Sequence, residues 1–467
     1  MRQRKPDQRR APPDLEGGGF LATRGSHLIK TILALLAFPT MVIAAEYQQL
    51  ENLAAESAEQ ASLGLGTLGE MAEKRPAREL LRDALAEAPP FWRDSSLDFG
   101  VRAYDFQREN DNESISEAFA AGTELTFRSG KWRERLSLAL SWHTSTAIDA
   151  PEELGRTGLL APDQSDLSVI SRAYLQFHFG HIATLKLYRQ DFNIPYLNRQ
   201  DSRMIPNTHE AYVLQHSGNR LEWMFGQVSR MKRRDSEEFI PMGQIAGVDG
   251  NNSGTTMAGV RYKFTNEATL GAILQHTSDL FTTAYSETSF RRTLNEDWGL
   301  QFAGQLTNQW STGRKELGNF STYSWGLRGK VSFRGAILTA AYTKTGNAEL
   351  RKPFGGTPGF TSSMLFDFDR AREDAYRIGL SQNFVTYGLP GMSLIVNYTK
   401  GRNATAVNKA QLPDTDEIAV TVDYRPQDGW LKGLWLRVRY AYGDRGSPVA
   451  DRRDVRIILN YRLGALQ

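Results

Sequence analysis

The chain has 467 residues, enough for two ordinary domains or one large barrel, and its 56 Lys and Arg residues nearly balance its 53 Asp and Glu residues. A formal net charge of +3 and a hydrophobic fraction of 40% argue against both a helical membrane protein and a nucleic-acid binder with a basic face. The sequence contains no cysteine, which excludes disulfides, thiolate metal sites and thiol nucleophiles.

The N-terminus has the pattern of a secretory signal peptide. Lys30 precedes an apolar run from Ile32 to Ala45, and small residues close that run. The run is shorter than the roughly twenty residues that span a bilayer as a helix. We therefore predict a leader and signal peptide over 1–45. The stretch before Lys30 is long for such a leader, so a start codon downstream of Met1 is an open alternative.

Residues 46–90 differ in composition from the rest of the chain. They are rich in Ala, Glu and Leu and poor in β-branched residues, and apolar residues recur at helical spacing over 80–85. Pro89 and Pro90 end this pattern. We predict a short segment on the periplasmic side that is either helical or disordered.

From Asp94 onward the hydrophobic period becomes two and stays so to the end of the chain. About eighteen alternating runs follow one another, most of them close to the nine to eleven residues with which a tilted strand crosses a bilayer. The pattern predicts an all-β fold over 91–467, a transmembrane antiparallel β-barrel of about eighteen strands.

The connections between these runs alternate in length. Short turns such as "GH" (180–181), "GN" (218–219) and "RG" (334–335) alternate with stretches that are mostly longer, among them 192–209 and 346–373. Short periplasmic turns and long extracellular loops are typical of an outer-membrane barrel, whereas a soluble sandwich has no reason to separate them.

The run "LWLRVRYAY" (434–442) shows how the two faces of a strand differ. Leucine and valine lie on one face, and Arg437 and Arg439 lie on the other. An arginine that faces lipid near the midplane costs about 2–4 kcal/mol, so we predict that the arginines face a water-filled lumen. Cations of other runs fall on the same side, namely Arg102, Arg172, Lys186, Arg261, Arg328, Lys330, Arg377 and Arg456.

Several segments resemble one family in the expected order. They are "DSSL" (94–97), "DSRMIPNTHEA" (201–211), "EDAYRIGLSQNFVTYGLPGMSLIVNYTKG" (373–401), "GWLKGLWLRVRYA" (429–441) and "RDVRIILNY" (453–461). Over about four-fifths of its length the chain resembles the outer-membrane porin D (OprD) family, the carboxylate-selective channels of Gram-negative bacteria. It departs from the family in the insert 46–90 and in the ending "YRLGALQ", which lacks a terminal aromatic assembly signal unless Tyr461 serves.

The resemblance implies a porin of the cell outer membrane, surrounded by lipid and lipopolysaccharide, that is a monomer or a loose homotrimer. It implies passive, selective diffusion of small anionic or zwitterionic solutes that carry a carboxylate: amino acids, peptides or aromatic acids. The matching strand positions suggest a basic ladder along the pore, formed by Arg102, Arg377, Arg437, Arg439 and Arg456. The third extracellular loop of the family narrows the pore, which suggests Tyr196, Arg199, Asp201, Arg203 and Asn207 at the constriction.

No pattern indicates catalysis, a metal or a cofactor, and we expect no nucleic-acid partner. The pair in "HFGH" (178–181) straddles a predicted turn, and "GVDGNNSG" (247–254) lacks the closing glutamate of a calcium loop. Two alternatives stay open. A sugar- or chito-oligosaccharide-selective porin would line its lumen with stacked aromatic rings, and an outer-membrane barrel enzyme such as a lipid hydrolase would carry a Ser/His pair on its lipid-facing surface.

Overall fold

Alternating polar and apolar residues form one closed antiparallel sheet. The computed structural model describes residues 85–466 apart from 111, 113, 407, 408, 430 and 448. The predicted signal peptide and nearly all of the segment 46–90 lie outside the described residues. A one-turn helix, α1 (Pro90–Arg93), leads into the first strand. Within the described part of the chain, no helix is long and apolar enough to cross a bilayer.

Eighteen long strands make up the barrel wall, which confirms the predicted all-β barrel and its strand number. In chain order they are β1 (Ser96–Glu109), β2 (Ile115–Arg128), β3 (Leu136–Asp149), β4 (Leu167–Phe179), β5 (Ala183–Gln190), β6 (Thr208–Ser217), β7 (Leu221–Lys232), β8 (Thr255–Lys263), β9 (Ala268–Thr277), β10 (Phe281–Thr293), β11 (Trp298–Ser311), β12 (Ser321–Phe333), β13 (Ala336–Thr345), β14 (Asp374–Asn383), β15 (Met392–Arg402), β16 (Thr415–Tyr424), β17 (Leu434–Asp444) and β18 (Arg452–Leu466).

Each strand pairs antiparallel with the next, and β18 pairs with β1 to close the barrel. Closure leaves no exposed sheet edge, which a bilayer requires because it offers no water to unpaired backbone groups. The short elements between the strands are α2 (Met242–Ile245), the 3₁₀ turns Glu152–Leu154 and Val385–Tyr387, and the two-residue strands Asn193–Ile194, Leu197–Asn198 and Ile240–Pro241.

The strand faces are sorted as the alternation predicts. In β17, Val438 and Tyr440 are exposed on the outer surface, and in β14 Ile378 is exposed there as well. These apolar side chains form the band that contacts lipid. The run "LWLRVRYAY" (434–442) therefore points its apolar face outward.

Strand bounds differ from the alternating pattern where the backbone turns. Alternation in the run "WRERLSLALSW" (132–142) predicts a strand from Trp132, but β3 begins at Leu136. Arg133 and Glu134 have φ values of 49° and 59°, a left-handed conformation that interrupts a strand. At its other end β3 continues to Asp149, so the barrel wall extends well past the predicted run.

Candidate functional site: the channel interior

Loop 3, residues 191–207 between β5 and β6, crosses the inside of the barrel. The Tyr196 hydroxyl lies 2.8 Å from the Thr307 hydroxyl on β11. At the other side of the lumen Arg102 on β1 forms an ion pair of 2.9 Å with Asp201. β1 and β11 stand on nearly opposite sides of the closed barrel, so loop 3 lies in the lumen, and the strand faces that it contacts are the interior faces.

Loop 7, residues 346–373 between β13 and β14, also folds inward and is joined to loop 3. The Asn198 side chain donates to the Gly356 carbonyl at 2.9 Å and accepts from the Gly356 amide at 3.1 Å. Farther along, the rings of Phe354 and Phe281 stack with their centroids 6.0 Å apart. The two loops together narrow the lumen.

A buried carboxylate holds the other end of loop 7. Glu417 on β16 is fully buried and accepts hydrogen bonds of 2.7 to 3.1 Å from the backbone amides of Met364, Leu365 and Phe366. Three converging amides form a concave anion site that a single carboxylate fills. Loop 7 is thereby tied to β16, six strands around the wall from its contact with Phe281 on β10.

Four of the five predicted ladder arginines lie on neighbouring strands. Arg437 and Arg439 are on β17, Arg439 stands directly opposite Arg456 on β18, and Arg102 stands opposite Asn460 on the same strand. We call Arg102, Arg437, Arg439 and Arg456 the ladder. The barrel closure at β1 and β18 brings Arg102 beside the others. Arg377 is not among them, since it lies on β14, three strands away.

Three of the four ladder arginines already hold carboxylates. Arg437 donates two hydrogen bonds of 2.7 and 2.8 Å to Asp423, and Arg456 donates two of 2.6 and 2.8 Å to Asp454. Arg102 is paired with Asp201. Arg439 differs, because its one polar contact is the Thr421 hydroxyl at 3.3 Å, and no carboxylate of the described residues lies within 4.0 Å of it. It therefore carries the unneutralised positive charge of the ladder.

The five predicted constriction residues separate into two groups. Tyr196, Arg203 and Asn207 are buried and hold the shape of the loops. Arg203 donates to the Thr157 carbonyl at 2.8 Å, and the Asn207 side chain donates to a loop 3 carbonyl at 3.4 Å. Burial raises the pKa of Tyr196 to about 12 and lowers that of Arg203 to about 9.

Arg199 and Asp201 form the second group and remain partly exposed toward the lumen. Their side chains are 3.5 Å apart, and they are 41% and 23% exposed. Burial opposes ionisation of Asp201, but the guanidinium groups of Arg102 and Arg199 outweigh it and hold the pKa of that carboxyl below its usual value. Among the predicted constriction residues, these two have the most exposed side chains.

Charged residues that the sequence pattern did not single out as site residues complete this part of the lumen. Glu124 on β2 lies 3.4 Å from Arg172, and Arg172 lies 3.2 Å from Asp191. Glu124 and Arg172, together with Arg102 and Arg199, line a small cavity of about 40 Å³. The alternating pattern of the sequence places Glu124 on the interior face of its strand. Its partner cannot be predicted in this way, because it depends on the register between strands.

A larger cavity of about 380 Å³ lies against β6 to β10, beneath the loop residues Pro195 and Pro358. Its charged groups are paired: Glu222 accepts from Arg261 at 3.0 Å, and Glu287 accepts from the Tyr285 hydroxyl at 2.7 Å. The lining of this cavity therefore carries two carboxylates and one guanidinium, whereas guanidinium groups predominate along the ladder.

A closed eighteen-stranded barrel with an apolar outer band, short turns at one end and two loops folded into a charged lumen defines an outer-membrane porin. The family model described as "outer membrane porin, OprD family" matches residues 89–465, and the chain belongs to this family. The protein is accordingly a β-barrel channel of the Gram-negative outer membrane.

Relatives of known sequence or structure agree. Porin D of Pseudomonas aeruginosa is 22% identical over 423 residues, which cover 82% of this chain and 93% of that protein. The crystal structure of P. aeruginosa OccK9 (OpdG) is similar with a TM-score of 0.73 and 23% identity, covering 80% of this chain and all of that one. P. aeruginosa OpdK, crystallised with vanillate, has a TM-score of 0.71 and 20% identity, covering 80% and 99%. These relatives are porins, which are channels and not enzymes.

Proposed function

We propose that the protein mediates passive diffusion of small carboxylate-bearing solutes and that Arg439 is the principal contact for the solute carboxylate. The observation that carries this proposal is the absence of an anionic partner for Arg439 among the described residues, although its neighbours on the ladder each hold one. An arginine offers a planar fork of donors that matches a carboxylate, so a solute can supply the missing partner.

The ladder also keeps the guanidinium of Arg439 available. The paired residues next to it fix its surroundings without competing for its donors. Asp423 already accepts two hydrogen bonds from Arg437, and Asp454 accepts two each from Arg456 and Arg108. A cation in a narrow, low-dielectric passage raises the local concentration of anions and speeds their entry. The paired carboxylates across the lumen, Glu222 and Glu287, favour solutes that also carry an amino or hydroxyl group.

A lumen that binds sugars would need exposed aromatic rings. The aromatic side chains of β1 that face the lumen, Tyr104 and Phe106, are 1% and 0% exposed and cannot stack on a passing ring. The vanillate named with OpdK is an aromatic carboxylate, which is the kind of solute that we propose here. The monomer or loose homotrimer that the resemblance implies stays a prediction.

The experiment compares ion selectivity of reconstituted channels in planar bilayers under a KCl gradient, together with uptake of benzoate into liposomes. Arg439→Gln should move the reversal potential toward cation selectivity and slow benzoate uptake. The matched control is the double variant Arg437→Gln with Asp423→Asn, which removes an arginine and its carboxylate together and leaves the net charge unchanged. A reversal potential that Arg439→Gln leaves at the wild-type value would overturn the proposal.

A further inference from the structure

A second group of cations lies on a different part of the lumen wall. Arg328 and Arg377 stand in one row of the sheet, each directly opposite Ala341, on β12 and β14. Neighbouring strands are about 4.8 Å apart, so the Cα atoms of Arg328 and Arg377, which are two strands apart, are separated by roughly 10 Å. Lys330 follows Arg328 on the same face of β12, two residues nearer to the short turn at 334–335. We call Arg328, Lys330 and Arg377 the second cluster.

The second cluster faces the lumen, because loop 7 packs on it. Phe360 lies over the Arg328 guanidinium at 4.1 Å and covers Ala341. The Arg377 guanidinium donates to the Ser362 carbonyl at 2.8 Å. Loop 7 thus rests on the extracellular side of the cluster and leaves Lys330 on the periplasmic side.

No cation of the second cluster has a carboxylate within 4.0 Å in the part of the chain that the structure describes. Arg377 contacts the Asn397 side chain at 3.2 Å and a carbonyl, which are both neutral. The Nε of Arg328 is buried and has no hydrogen-bond partner among the described residues. Two acids lie near the cluster in the sheet. Glu417 stands in the row of Arg377, two strands away, and is held by the backbone amides of loop 7. Glu287 lies two strands from Arg328 and accepts the Tyr285 hydroxyl. Three cations held together without a contacting carboxylate are costly unless an anion is supplied from solution.

We propose that the second cluster is a separate anion-binding site on the periplasmic side of loop 7, and that it takes small dicarboxylates in preference to monocarboxylates. The preference follows from charge, since two carboxylates on one solute can engage Lys330 and a guanidinium at the same time. A solute that has passed loop 7 would bind there before it leaves the channel. The inference rests on the proposed function for the nature of the solute, but it involves strands β12 to β14 and not the ladder.

Single-channel recording with succinate and acetate as probes tests this site. Succinate added on the periplasmic side should interrupt the current of the wild-type channel, and Lys330→Gln should shorten the interruptions about fivefold, since one cation at about 4 Å contributes about that factor in water. Acetate should be affected far less by the same substitution. Lys315→Gln is the matched control, because it removes an exposed lysine from the loop 312–320 outside the lumen.

The outcomes separate this site from the proposed function. Succinate interruptions of equal length in the wild type and in Lys330→Gln would overturn the second site, while a selectivity change in Arg439→Gln would leave the proposed function standing. Shortened succinate interruptions in Lys330→Gln combined with unchanged selectivity in Arg439→Gln would support the second site and overturn the role of the ladder. Lys330→Glu, which replaces the positive charge by a negative one, should abolish the succinate interruptions. Interruptions that persist in this variant would contradict an electrostatic role of Lys330.

Discussion

Removal of an acid should make this channel more selective for anions. Asp423→Asn deletes the carboxylate that accepts hydrogen bonds of 2.7 and 2.8 Å from Arg437, while the amide keeps nearly the same size and one acceptor oxygen. The guanidinium then becomes a second unneutralised cation beside Arg439, with which it shares the interior face of β17. The substitution thus changes the charge of the lumen without removing any basic side chain.

The size of the effect follows from the distance at which a solute contacts the freed guanidinium. Two unit charges about 4 Å apart interact by about 1 kcal/mol in water and by more where the lumen excludes water. One kcal/mol corresponds to about a fivefold change in the local concentration of a monovalent anion. We therefore expect the anion-to-cation permeability ratio to rise at least severalfold at low salt and less at high salt, because mobile ions screen the charge.

Reversal potentials in planar bilayers at two ionic strengths provide the assay. Asp297→Asn is the matched control, since Asp297 also pairs with an arginine, Arg334 at 3.1 Å, but in the exposed turns at the periplasmic end of the barrel. If Asp423→Asn leaves the permeability ratio unchanged while Arg439→Gln alters it, the ion pair with Asp423 does not neutralise the effect of Arg437 on permeating ions. That result would refute the distinction between paired and unpaired arginines.

Three further predictions concern loop 7 and the barrel wall. Glu417→Gln should loosen loop 7 and so raise single-channel conductance and current noise, because hydrogen bonds to a charged group contribute about 1.5–3 kcal/mol each and the amide removes that charge. A conductance trace identical to the wild type would contradict the role of Glu417 in holding loop 7. Burial raises the pKa of Asp369 to about 7 because it outweighs the attraction of the Lys352 ammonium at 2.6 Å. The packed loop therefore favours the protonated acid and loses stability as pH rises from about 4 to about 7. Conductance should rise over that range, and Asp369→Asn, which keeps a contact to Lys352, should abolish the dependence. Val438→Arg should destabilise the folded barrel by about 2–4 kcal/mol in a urea-refolding assay with lipid vesicles, and no loss of stability would contradict the outward orientation of this face.

The sequence pattern was sufficient to predict the barrel because the bilayer constrains every strand in the same way. Alternation, strand length and loop length are properties of single segments, and all eighteen runs became strands. The pattern could not predict strand ends such as that of β3, where left-handed residues at 133 and 134 stop the strand. It also predicted loop 7 only as a long connection. Its inward fold depends on Glu417, some fifty residues away along the chain.

The candidate site was predictable in position but not in electrostatic state. The alternation correctly grouped Arg437 and Arg439 on one face, yet whether each guanidinium is paired depends on the register across two strands. Asp423 is fourteen residues before Arg437, and only the hairpin between β16 and β17 places them side by side. The loop residues show the same difficulty. A polar side chain that supports a folded loop and one that faces the solute are the same residue types, so the sequence alone does not distinguish them.

Selectivity in such a lumen should therefore depend on which cations lack partners and not on how many cations are present. A fully paired ladder would present little net charge to a solute, and a fully unpaired one would bind anions too firmly to release them, since conduction requires weak sites in series. The arrangement seen here lies between these limits. Arg439 and the second cluster lie on different strands, each beside neutral or already paired neighbours. An anion that leaves one would meet the other, so we expect that loss of either site alone weakens solute binding but that conduction of small inorganic ions persists.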